Sequence, residues 1–164
     1  MAVVSSHKDD QALTLTFVAE FDASVERVWQ VWQDPRQLER WWGPPTWPAT
    51  FEQHDFVVGG RSRYHMTGPD GRKSRGWWTI TAIEAPNRLE FDDGFAGEDG
   101  EPLASIEPTH TVVTIEWLGA GSRMTMVTKF ANLKQLERVL AMGGEEGMRL
   151  ALGQVDAVLA GALR

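Results

Sequence analysis

The stretch Thr109-His110-Thr111-Val112-Val113-Thr114-Ile115-Glu116-Trp117-Leu118-Gly119-Ala120-Gly121-Ser122-Arg123-Met124-Thr125-Met126-Val127-Thr128-Lys129-Phe130 holds two alternating runs about a Gly-Ala-Gly turn. Successive side chains of a strand point to opposite faces, so Thr111, Val113, Ile115 and Trp117 share one face of the first run. Met124, Met126, Thr128 and Phe130 share one face of the second. His110, Thr114 and Glu116, then Arg123, Thr125 and Lys129, point the other way. A dry face backed by a wet one predicts an antiparallel hairpin covered on one side.

The cover follows in the sequence. Asn132 can cap a helix that the apolar spacing carries to about Leu163. Leu133, Leu136 and Leu140 form one stripe, Met148, Leu152, Val155 and Leu159 another, and Gly143-Gly144 lies between them. Two glycines within a helical pattern cost about 2 kcal/mol relative to alanines, so a bend or a close contact is expected there.

Upstream of the hairpin, strands are predicted near 13–21, 50–57, 60–67, 74–84 and 88–95. Gly59-Gly60, Pro69-Asp70-Gly71 and Pro86-Asn87 mark the turns. The acidic stretch from Asp92 to Pro108 reads as a mobile loop. After the first strand, Ser24 caps a helix with Val25, Val28, Trp29 and Trp32 on one face. Asp34-Pro35 opens a second short helix, which Gly43-Pro44-Pro45 stops.

The order predicts a soluble α+β domain. A curved seven-stranded antiparallel sheet wraps a long C-terminal helix, with two short helices after the first strand. Residues 1–10 are expected as a flexible lead-in and 11–164 as one domain. The N-terminus lacks the basic and apolar regions of a signal peptide, and no apolar run reaches the ~20 residues of a membrane span. The chain has no cysteine, which excludes disulfides and thiolate chemistry and fits a cytoplasmic setting. A net charge of −7 argues against nucleic acid as a partner.

None of the four histidines has a metal-ligand spacing, and no triad is evident. No catalytic residue, metal or cofactor is assigned. Asp92, Asp93, Glu98, Asp99, Glu101 and Glu107 read as solvating charges of the loop. The apolar signal is stronger: Met66, Met124, Met126, Met142 and Met148 fall on inward faces or beside the glycine pair, and methionine suits tolerant binding sites. Tyr64, the one tyrosine, points inward with Ser62 and Met66, and a buried hydroxyl seeks a partner.

Several pieces, in order, resemble one family. They are Phe21-Asp22-Ala23, Val28-Trp29, Asp34-Pro35, Trp41-Trp42-Gly43-Pro44, Gly76-Trp77-Trp78, Pro86-Asn87-Arg88-Leu89, Gly94-Phe95 and Met142-Gly143-Gly144-Glu145-Glu146-Gly147-Met148. The chain is similar to the SRPBCC superfamily, with the helix-grip fold of START domains and the birch pollen allergen. More narrowly it resembles the family named after the activator of heat-shock protein 90 ATPase. One departure is Asp55-Phe56-Val57-Val58-Gly59-Gly60, which lacks an Arg that the family often carries there.

The inward apolar set, under a strongly curved sheet that a single helix rarely closes, predicts binding of a small hydrophobic or amphipathic ligand between sheet and C-terminal helix, with Trp78 added by the resemblance. Tyr64, Met66, Trp78, Phe91, Met124, Met126, Met142 and Met148 would line the site, with Trp41 and Trp42 near an entrance. Two other roles are compatible with the family: a co-chaperone-like protein interaction, and a cyclase or hydrolase acting in the cavity. A chaperone and a second copy of the chain are the further candidate partners.

Overall fold

The computed structural model describes residues 3–161. Their backbone forms an eight-stranded antiparallel sheet in the order β1-β2-β8-β7-β6-β5-β4-β3. The strands are β1 (Val3–Asp9), β2 (Thr14–Phe21), β3 (Ala49–His54), β4 (Arg61–Thr67), β5 (Lys73–Glu84), β6 (Arg88–Ala96), β7 (Thr109–Leu118) and β8 (Gly121–Lys129). Helices α1 (Val25–Gln33) and α2 (Pro35–Leu38) follow β2. Helices α3 (Leu133–Ala141), α4 (Gly144–Leu152) and α5 (Val155–Leu159) follow β8.

The α+β helix-grip class is as expected, with one strand more than the seven predicted. Of the lead-in predicted over 1–10, residues 3 to 9 are the extra strand, and Met1 and Ala2 lie outside the described residues. Strand β1 pairs with β2 from Val3↔Glu20 to Asp9↔Thr14. It is an edge strand held by backbone ladder bonds, and its polar side chains show no dry face from which to predict it.

The hairpin of β7 and β8 has the predicted faces. Thr111, Val113, Ile115, Met124 and Met126 are buried, while Trp117 runs past the edge of the core into solvent. The caps of α1 and α2 are also as read: Ser24 Oγ accepts from the Arg27 N–H at 3.1 Å and Asp34 Oδ1 from the Arg36 N–H at 2.9 Å. Strand β3 ends at His54, short of the expected residue 57. The chain turns so tightly that a Cβ on Gly60 would lie 2.0 Å from the Asp55 carbonyl oxygen, and Val57 and Val58 are left exposed. Strand β6 continues to Ala96, so the first residues of the predicted 92–108 loop are strand.

The single long C-terminal helix is divided in three, and its predicted end at Leu163 lies outside the described residues. The first break is at the glycine pair. Gly143 takes the left-handed conformation at φ 80°, and a Cβ on Gly144 would come within 2.6 Å of Val139 Cγ1 and 2.9 Å of its carbonyl oxygen. Replacing both glycines with alanine is therefore expected to destabilise the protein by about 1–2 kcal/mol, against the gain of about 2 kcal/mol that helix propensity alone predicts. Urea unfolding checks this, and a stabilised double variant would show the bend to be dispensable.

Side chains tie the helices to the frame. Arg149 of α4 donates to the Val4 carbonyl at 3.0 Å and to Ser6 Oγ at 2.5 Å. Gln154 donates to the Gly43 carbonyl at 2.8 Å, and Arg27 donates to the Val158 carbonyl at 2.7 Å. The bent helix is thus held across the sheet at a fixed stand-off, and a gap remains beneath its first two segments.

Candidate functional site

That gap is a cavity of about 380 Å³ between the concave face of the sheet and α3–α4. The size falls within the ~300–1,000 Å³ typical of small-molecule sites. Leu15 and Phe17 of β2, Met126 and Thr128 of β8, and Phe130 form one wall. Tyr64, Met66 and Phe95 form the opposite one, while Val139, Met142 and Met148 close the helix side.

Strand parity and cross-strand register place the inward groups. Leu89 and Phe91 of β6 are fully buried, and one more step of two reaches Asp93 on the same face. The register sets Asp93 beside Trp78 of β5 and Thr109 of β7. Its carboxylate accepts a short hydrogen bond from the Thr109 hydroxyl. Burial pushes the Asp93 carboxyl up to about 6, with the Asp92 charge adding to the rise and Thr109 and His110 opposing it. Asp93 lines the cavity, so the surface it still exposes is cavity surface.

Tyr64 pairs across the strands with Gly76, and only a glycine fits there: a Cβ would lie 2.3 Å from Tyr64 Cζ. Burial holds the phenol well above its ordinary range, and the Asp93 charge acts in the same direction. The indole N–H groups of Trp42 and Trp78 act in the opposite sense, although neither completes a hydrogen bond: both nitrogens are buried without a partner among the described residues. The cavity is therefore largely apolar, with Tyr64 and Asp93 among its inward polar groups and Arg75, Glu107, Lys134 and Arg138 also on its lining.

Five of the ten expected residues, Tyr64, Met66, Met126, Met142 and Met148, line this cavity. The others pack the adjacent half of the interior. Trp78 stacks on Phe91 with ring centroids 4.1 Å apart, and Trp42 meets Trp78 edge-on at 5.0 Å. The Met124 sulfur accepts from the Trp32 indole at 3.1 Å. Trp41 and Trp42, expected near an entrance, are buried, and the Trp41 indole donates to the Val31 carbonyl at 3.0 Å. Following α2, both indoles pack against Trp32 of α1. Asp93, Thr109 and Thr128 were not among the expected site residues; parity from Leu89 and Phe91 would have found the first.

His54 and His110 are satisfied rather than poised. His54 meets Ser62 Oγ at 2.7 Å and the Trp32 carbonyl at 2.9 Å, and burial lowers its pKa. His110 lies on the outer face, 2.7 Å from Asp92 and 3.1 Å from Glu90, and these two carboxylates outweigh desolvation to raise its pKa. No group of metal-binding side chains is found among the described residues. No helix among them is long and apolar enough to cross a membrane.

A sheet gripping a C-terminal helix agrees with comparison to known proteins. The family model for Activator of Hsp90 ATPase homolog 1-like protein matches residues 22–160. The chain belongs to this family. A protein from Arthrobacter aurescens, solved by solution NMR, is 57% identical with a TM-score of 0.93, over 99% of this chain and 96% of that one. A crystal structure from Mycobacterium smegmatis is 45% identical with a TM-score of 0.89, over 97% of each chain. An AHSA1 protein from Silicibacter pomeroyi, 23% identical with a TM-score of 0.71 over 90% of this chain and 97% of that one, shares the fold alone. No curated protein matches the chain.

Proposed function

We propose that this family member binds a small apolar or amphipathic molecule between its sheet and its C-terminal helix. The observation that carries the reading is the 380 Å³ cavity, walled by methionines and aromatic rings, with Tyr64 and Asp93 among its inward polar groups. Close packing is the norm in protein interiors, and a space of this size beside a tightly packed aromatic cluster departs from it. Burying about 300 Å² of apolar ligand surface supplies roughly 7.5 kcal/mol before association costs. The polar groups add orientation.

The experiment is a titration with a hydrophobic probe, followed through the eight tryptophans. Saturable quenching or a shift of emission is expected, with affinity in the micromolar range of about −8 kcal/mol. Enlarging Met126 to Trp should fill the space, weaken binding by about tenfold or more and leave the fold intact, because added volume in a void causes little strain. Unfolding of that variant, with no probe bound by the native protein, would mean the interior is closed. The co-chaperone reading, which puts function on the surface and rests on the family description, would then take precedence.

A further inference from the structure

We infer that the ligand is an amphipathic amine, its protonated nitrogen seated on the Asp93 carboxylate and its apolar body lying along Met66, Met126 and Met148. The inference rests on the cavity reading above and deepens it to a chemical class.

The starting point is an uncompensated charge. A carboxylate on the dry face of a sheet is unfavourable unless it is paired. The hydrogen-bond partner of Asp93 is one neutral hydroxyl, that of Thr109. Among the described residues, the groups that act on its ionisation include no lysine or arginine. His110, which acts on Asp93 electrostatically, sits on the outer face between Asp92 and Glu90. Arg75 also borders the cavity, but its guanidinium is engaged 3.8 Å from Glu52. The side of Asp93 left open is the cavity.

What would satisfy that open side is a donor bearing positive charge. An alcohol would supply a hydrogen bond and leave the charge; a carboxylate would be repelled. Tyr64 and Phe95 add aromatic faces along the same cavity, which attract a cation further. The chain's net charge of −7 raises the local concentration of cations around it. Against this stand Lys134 and Arg138, which reach the mouth from α3. Both are exposed to solvent, where their pull on a ligand anion is screened.

Three probes of equal length separate the cases: n-octylamine, n-octanol and octanoate, each competing with a fluorescent hydrophobic probe at neutral pH. Octylamine should bind about tenfold more tightly than octanol, a difference of 1.4 kcal/mol. Asp93→Asn should erase that advantage and leave octanol affinity unchanged. Equal binding of amine and alcohol overturns the inference while the cavity reading stands. So does preference for octanoate that disappears in a Lys134→Ala, Arg138→Ala variant. Failure of all three probes to bind overturns the cavity reading itself.

Discussion

Replacing Trp78 with alanine is expected to destabilise the protein by about 3–5 kcal/mol, the range for deleting a large buried aromatic. Trp78 has no exposed surface and stacks on Phe91, with interplanar angle 17°. It also meets Trp42 at 5.0 Å, Phe51 at 5.6 Å and Trp32 at 6.1 Å between ring centroids. Removal leaves a void bounded by rigid rings that cannot close in, and the cost of such a substitution rises with the void that remains. Urea unfolding should show a lower midpoint with an unchanged slope. A loss below about 1 kcal/mol would show that the cluster collapses freely onto the gap and does not set the shape of the cavity.

Asp93→Asn is expected to act in the opposite direction, stabilising the protein by up to about 3 kcal/mol at neutral pH. The folded carboxyl titrates near 6, above its ordinary value of 3.8. A folded value above the unfolded one means the native state holds its proton longer. Below about 4 both states are protonated and Asp93 exacts no ionisation penalty. As pH rises from there through 6 the unfolded chain ionises first, and stability falls until both states are charged. The asparagine variant lacks this term, so its advantage should be absent at pH 4 and complete by pH 7. Chemical unfolding across that range measures it, and an advantage independent of pH would place its origin elsewhere. With the amine inference, one residue both weakens the empty protein and holds the ligand, a common trade at binding sites.

The frame was legible because burial writes periodicity into sequence. The β7–β8 hairpin, the caps of α1 and α2 and most of the C-terminal stripes follow from spacing and residue type, although Leu133 of the first stripe is exposed. Strand β1 was not legible, since backbone pairing with β2 holds it at the sheet edge and needs no apolar pattern. Asp93 was obscured by its neighbours: Asp92-Asp93-Gly94 has the composition of a turn. Gly94 instead pairs with Trp77 and lies beneath its ring, which keeps β6 extended beyond the apparent turn. Parity also cannot distinguish a wall from a filling. Met124 and Met126 share a face, yet Met124 is occupied by the Trp32 indole and Met126 borders open space.

The broken C-terminal helix has one more consequence. Its three links are fastened unequally. Link α5 buries Val155 and Val158 and is clasped by Arg27; α4 buries Ala151 and Leu152 and is bolted to the edge strand through Arg149. Link α3 fully buries Leu136 and is otherwise latched at its start, where Gln135 donates to the Glu107 carbonyl at 2.6 Å. Local opening begins where the least surface is buried. The arrangement is a sash hung from its C-terminal end, with Gly143 as its hinge pin. Amide exchange should spread from α3 toward α5, and on the proposed binding role a ligand's escape should be set by that latch while the sheet stays shut.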